Sequence, residues 1–221
     1  MMKTALIVAG GLGTRMGGET PKQFLLLKDK PVLMKTMEAF YAFSKDLSII
    51  LVMHPDTIDH WKSLCYQYNF TISHEIVSGG RERFHSVQNG LNKVDENGFV
   101  AIHDGVRPLV TPQLIEKSFR FAEQFGAAVP VMPLNETIRE LKEGKSRIID
   151  RSNLFSIQTP QTFKSSLVKK AYQQSYQKEF TDDAAVVQAM GEKVHFFPGD
   201  PGNLKITRGV DLELAGKLVE I

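Results

Sequence analysis

The chain has 221 residues, 42% hydrophobic and 24% charged, the balance of an ordinary globular protein long enough to bury one sizeable core. Its formal net charge of +2 is too small to argue for a nucleic-acid or membrane surface, so any anion binding must come from local clustering. The lone cysteine, Cys65, excludes an internal disulfide and a Cys/His zinc framework, and with an N-terminal apolar run too short for a signal or a membrane span it points to a cytoplasmic protein.

No internal repeat or Ser/Gly linker divides the sequence, so a single domain over 1–221 is expected. A short apolar strand over 5–9 comes first, followed by a helix over 31–43 with Leu33, Met37, Phe40 and Tyr41 on one face. A strand over 48–53, a helix over 56–68, a strand over 71–77, a helix over 83–93 and a strand over 99–103 continue the alternation. Thr111-Pro112 reads as the N-cap and first position of a helix running to 125, and a strand follows over 127–131. Alternating strands and helices imply a mostly parallel sheet covered by helices on both faces. Ligands of such sheets bind beyond the carboxyl ends of the strands, here the segments after residues 9, 77 and 103. One stretch breaks the alternation. Two β-prone runs, 137–141 and 146–150, flank Glu143-Gly144-Lys145 and predict a hairpin arm at about 134–153. A two-stranded ribbon is marginal alone, so it packs over its own domain or against a partner subunit.

The segment after the first strand carries Gly10, Gly11, Gly13, Gly17 and Gly18 with Arg15, and then Pro21-Lys22-Gln23. Glycines expose backbone N–H groups to a phosphate without Cβ obstruction, Arg15 offers a planar fork and Lys22 a point charge. Met16 stands where a dinucleotide fingerprint needs its third glycine, and no Gly-Lys-Ser/Thr is present, so neither a dinucleotide fold nor a Walker loop is indicated. A second loop, Ser78-Gly79-Gly80-Arg81-Glu82-Arg83-Phe84-His85-Ser86, also leaves a strand and enters a helix. It is either a helix start with solvated charges or a contact for base and ribose, with Ser86 able to hydrogen-bond the base. The third segment is His103-Asp104-Gly105-Val106-Arg107-Pro108. Asp104 at a strand end beside a triphosphate is placed to hold Mg²⁺, Arg107 to bind an incoming anion, and His103 to pack. Further on, Thr181 reads as the cap of a helix from Asp182 or as a phosphate contact, and Lys205, on a strand-like run over 203–207, as a sheet-edge lysine.

Taken in order, AGGLGTRMG…PKQF, SGGRERFHSV, HDGVRP, DRSNLF…QTPQTF, TDDA and NLKITR resemble the 2-C-methyl-D-erythritol 4-phosphate cytidylyltransferase family over nearly the whole chain. The resemblance implies a Rossmann-like nucleotidyltransferase fold and a homodimer in which the arm completes the partner's site. It also implies use of CTP and Mg²⁺, with CMP joined to the polyol phosphate and pyrophosphate released in non-mevalonate isoprenoid synthesis. By position it implies that Ala9, Gly10, Gly11, Gly13, Gly80, Arg83 and Ser86 bind CTP, and that Arg15, Lys22 and Lys205 are catalytic. Asp104, Arg107, Thr137, Arg151, Thr159, Thr181 and Lys205 then fall to the polyol phosphate, with Thr137 and Arg151 supplied by the other subunit. Where some members have Asp-Ala-Ala-Arg, this chain has Asp104-Gly105-Val106-Arg107, which keeps the charged pair. Ribitol 5-phosphate cytidylyltransferases share GTRMG, KQF and TPQ, while DRSNLF favours the methylerythritol acceptor. The competing classes are a non-catalytic nucleotide-binding regulator, disfavoured by Arg15, Lys22 and Asp104 together, and a nicotinamide oxidoreductase, disfavoured by Met16.

Overall fold

The computed structural model describes residues 1–11 and 20–219. Gly13 and Arg15, with the rest of 12–19, lie outside the described residues.

In chain order the elements are β1 (Met2–Ala9), the short pair β2 (Leu26–Leu27) and β3 (Lys30–Pro31), α1 (Val32–Phe43), β4 (Ser48–Met53) and α2 (Ile58–Gln67). Then come β5 (Glu75–Ser78), α3 (Arg83–Leu91), β6 (Gly98–Asp104), α4 (Pro112–Phe125), β7 (Ala127–Pro133), β8 (Ile138–Lys142) and β9 (Lys145–Ile149). The chain closes with β10 (Phe155–Ile157), β11 (Gln161–Lys164), α5 (Ser165–Ala171), α6 (Asp183–Ala189), β12 (His195–Pro198) and α7 (Gly209–Leu218).

Eight strands form the main sheet, in the order β10-β7-β11-β6-β1-β4-β5 with β12 against β7. The β6-β1-β4-β5 half is parallel throughout, and β11 enters antiparallel between β6 and β7. The chain runs outward from β1 through β4 to β5, then returns to the other side of β1 as β6. That reversal makes the β1/β6 junction the crevice where an open α/β sheet binds ligands.

Side chains alternate across the sheet as the pleat requires. Ala5, Ile7 and Ala9 face one core with Met37 and Phe40 of α1, Trp61 of α2 and Phe119 of α4. Leu6 faces the other, with Phe84 and Val87 of α3, Val168 of α5 and Val187 of α6. Helices therefore cover both faces, as the alternation predicted. α3 comes close to the sheet because Gly90 has no side chain: a Cβ there would lie 2.4 Å from Leu6 and 2.7 Å from Val52. α4 starts as expected, with the Thr111 hydroxyl accepting from the Leu114 N–H and Pro112 in the first turn.

Three expectations need correction. β5 begins at Glu75, because its register on β4 starts at Ile50, and 71–74 lie outside any strand. The run 203–207 is not a strand: the Ile206 N–H donates to the Val106 carbonyl and the Asn203 carbonyl accepts from Arg107, so loop and side-chain bonds replace a ladder. Thr181 is not the cap of α6. The Asp182 carboxylate accepts from the Ala185 N–H, and a carboxylate suits a helix N-terminus better than a hydroxyl.

The arm is a separate two-stranded ribbon, in which Glu143 and Gly144 both take positive φ, 50° and 73°, as a two-residue hairpin turn demands. Among the described residues no helix is long and apolar enough to cross a membrane.

Candidate active site

The cleft at the carboxyl ends of β1, β5 and β6 has two adjoining lobes. The first, about 450 Å³, is lined by Gly10, Gly11, Lys22, Gly80, Arg81 and Ser86, among others. The second, about 300 Å³, is lined by Arg107, Thr159, Gln161, Thr181 and Asp182 with Ile157. Arg83, Asp104 and Lys205 line both, so these three side chains mark the junction.

The walls of the first lobe are two loops, each pinned by its own hydrogen bonds. Buried Ser86 accepts from the Gly80 N–H at 3.0 Å and donates to the Glu82 carbonyl at 3.1 Å. A Cβ on Gly80 would fall 2.4 Å from His85 Cβ, so only glycine lets the loop fold back on the start of α3. Gln23, from the PKQF run, donates its amide to the carbonyls of Ala9 and Gly11 at 3.1 Å each. Gln23 thereby holds the exit from β1, while Ala9 itself lies in the core and meets the loop through that carbonyl. Lys22 stands in the 3-10 turn Lys22–Phe24, its ammonium 3.5 Å from the Thr207 carbonyl.

The junction is ionic. Asp104, the last residue of β6, accepts at Oδ2 from Lys205 at 2.9 Å and from Arg107 Nε at 3.2 Å, while Oδ1 lies 3.9 Å from Arg83 Nε. Burial alone would raise its carboxyl, but Lys205, Arg83 and Arg107 overcome that and hold it well below the usual carboxylate range. Both Asp104 oxygens therefore face cationic side chains, Oδ2 within hydrogen-bond distance and Oδ1 at longer range. Among the described residues no group of three His, Cys, Asp or Glu side chains forms a metal cage of protein ligands alone. Burial would likewise depress the Arg83 guanidinium. The charge and hydrogen bonds of Asp183, with Asp104, more than offset this and keep it protonated.

Beneath the junction, Thr159 accepts from the Asp104 N–H at 3.1 Å and meets His103 Nδ1 at 3.0 Å. His103 Nε2 faces the Arg107 carbonyl at 3.2 Å, which can only accept, so Nε2 carries the proton and the threonine hydroxyl donates to Nδ1. The ring is neutral, and burial pushes its pKa down to about 4. His103 is a packing residue, as expected. Arg107 also donates to the carbonyls of Asn203 at 2.9 Å and Ile157 at 3.5 Å, so much of its fork is spent inside the protein.

Gln161 clamps the TDD segment to β11, donating to Asp182 Oδ2 at 2.9 Å and accepting from the Ala184 N–H at 2.8 Å. That clamp carries Thr181 into the second lobe. Thr137 and Arg151 are exposed in the arm, and neither lines either lobe of its own chain. Gln161, Asp183, Asn203 and Tyr172 received no role from sequence reasoning. Gln161 and Asn203 stand within recognised motifs, but their partners are 21 and 44 residues away or more, so local patterning carries no signal for them.

A family model described as "IspD: 2-C-methyl-D-erythritol 4-phosphate cytidylyltransferase" matches residues 3–220. A 2-C-methyl-D-erythritol 4-phosphate cytidylyltransferase of Bacteroides fragilis is 48% identical, over 99% of this chain and 100% of that protein. One from Clostridium perfringens is 39% identical over 98% of each. The crystal structure of the Thermus thermophilus enzyme of that name superposes with a TM-score of 0.80 at 29% identity, covering 100% of both chains. The bifunctional IspDF of Campylobacter jejuni gives a TM-score of 0.81 at 28% identity over 96% of this chain, which spans 54% of that longer one. A full-length family match, close relatives of equal length and a two-lobed basic cleft at the sheet's switch point agree: this chain belongs to the IspD family of 2-C-methyl-D-erythritol 4-phosphate cytidylyltransferases.

Proposed function

We propose that this protein transfers CMP from CTP to 2-C-methyl-D-erythritol 4-phosphate, releasing pyrophosphate. The observation that carries the reading is the junction itself, where Arg83, Asp104 and Lys205 belong to both lobes. The glycine-lined lobe with Lys22 takes the nucleotide, and the lobe with Arg107, Thr159 and Thr181 takes the phosphorylated polyol. An acceptor phosphate oxygen attacks the α-phosphorus in line; the bond to the β-phosphate breaks and its electron pair leaves with pyrophosphate. A phosphate monoester is already anionic near neutral pH, so no strong base is required, and catalysis reduces to positioning and charge stabilisation. Lys22, Arg83 and Lys205 offset the repulsion between two approaching anions; Arg15 joins them in the family reading. Asp104 lies between Arg83, Arg107 and Lys205 and offsets the repulsion among those three. Asp104, which lines both lobes, is the carboxylate that would hold magnesium, and the ion would supply a hard cation to neutralise part of the phosphate charge.

We infer a homodimer with exchanged arms and one transferase domain per chain, working in the cytoplasm. The arm pairs only with itself among the described strands and exposes Leu141 (77%) and Ile148 (67%), which its register places on one face. Thr137 and Arg151 are exposed and line neither lobe of their own cleft, with Arg151 held toward the Asn135 carbonyl, so both are offered to a neighbour's. The decisive assay is pyrophosphate release from CTP with methylerythritol phosphate or with ribitol 5-phosphate. Turnover with the first and little with the second is expected; the reverse preference would reassign the acceptor, and release with neither would sink the transferase reading.

A further inference from the structure

The cleft contains a cation whose orientation is decided from outside the cleft. Arg83 borders both lobes, yet its two terminal nitrogens point away from Asp104. Nη1 donates to Asp183 Oδ1 at 2.8 Å and Nη2 to Asp183 Oδ2 at 2.7 Å. Asp183 is fully buried and lines neither lobe. It receives a third hydrogen bond, 2.6 Å from the Tyr172 hydroxyl. We propose that Asp183 is a positioning residue of the transfer reaction, setting the plane of the Arg83 guanidinium at the meeting point of the two lobes. The proposal rests on the transferase reading above and deepens it.

A bidentate carboxylate fixes an arginine in plane as well as in position, which a single bond does not. With both terminal nitrogens committed, the Nε edge is the one presented toward Asp104, at 3.9 Å. The brace has its own anchor. Tyr172 follows α5, and its ring stacks on Phe84 of α3 at 4.7 Å, one residue along from Arg83. Asp183 opens α6, and the adjoining Asp182 and Ala184 are clamped to β11 by Gln161. Burial and the charge of Asp183 raise the Tyr172 hydroxyl well above its ordinary value, so it remains a donor. Three elements on one face of the sheet therefore converge on one guanidinium. A surface ion pair that merely tied two helices together would need neither a fully buried carboxylate nor a third donor to satisfy it.

Steady-state kinetics of Asp183→Asn, corrected for the folded fraction, test the idea. The expected result is a kcat at least tenfold lower with the KM for CTP changed less than threefold, because the charge of Arg83 remains while its orientation is lost. Arg83→Lys, which keeps charge but has no fork, should lose kcat to a similar extent, and the double variant should be no worse than either single one. Arg83→Ala adds a readout that survives if Asp183→Asn folds poorly. Guanidinium ion should partly restore its kcat when Asp183 is present, and should fail to do so when Asp183 is changed to Ala as well. A folded Asp183→Asn with unchanged kcat, or equal rescue with and without Asp183, would overturn the proposal and reduce the brace to a structural tie. Absence of turnover in the unaltered protein would instead overturn the transferase reading, and this inference with it.

Discussion

The floor of the cleft and the arm use polar residues in opposite ways. Under the cleft, Asp104, Thr159, His103 and Asp183 are buried, and each is hydrogen-bonded to partners in the same chain. In the arm, Thr137 and Arg151 stand exposed on a ribbon that also exposes Leu141 and Ile148. A buried polar group is costly unless satisfied, so the floor must be complete before substrate arrives. A ribbon with apolar side chains in water completes itself by contact, and so is where a neighbouring copy can contribute.

The largest test of this contrast is Lys22→Ala, on the cleft side. A donor acting on charge that develops in the transition state is worth on the order of 3 kcal/mol, about a hundredfold in kcat. The KM for CTP should move far less, and an unchanged kcat would remove Lys22 from the mechanism. On the arm side, mixing Lys22→Ala subunits with Arg151→Ala subunits should return roughly half of wild-type activity per verified heterodimer, since one of the two shared sites is then intact. Heterodimers as inactive as either parent would mean that each arm serves its own cleft.

A smaller effect separates the regions by pH. His103 has a folded pKa of about 4, below the ordinary 6.5. The unfolded chain therefore binds more protons across that interval, so stability is fully present above 6.5 and is lost as pH falls toward 4. Asp104, held low by its three cations, adds a further loss below 3.8. Thermal melting over pH 7 to 4 should show a falling Tm, and His103→Gln should flatten part of that slope. An identical slope in the variant would mean that His103 is not the group responsible.

Several features were legible because they depend on neighbours in sequence. Ala5, Ile7 and Ala9 alternate with Leu6, the pleat sends them to opposite cores, and the order of βα units then implies a parallel sheet with a crevice at its carboxyl edge. The hairpin at Glu143-Gly144 was equally readable, since its turn needs positive φ at two adjacent residues. Less was visible where a pattern had two meanings. Leu204 and Ile206 alternate like a strand, yet this loop is tied down by Val106 and Arg107 from across the fold. Thr181 and Asp182 both had the chemistry of a cap, and only the hydrogen bond to the Ala185 N–H separates them.

The amino-acid order alone therefore determined the layered fold and the places where glycine-rich segments leave its strands, because helix and strand periods and glycine's freedom act over a few residues. Tertiary structure alone decided what each charge faces. Arg83 and Asp183 are 100 positions apart, and Asp104 meets Lys205 from the far end of the chain. Coulombic and hydrogen-bonding energies depend on distance in space and on local burial, and neither is a property of position along the chain.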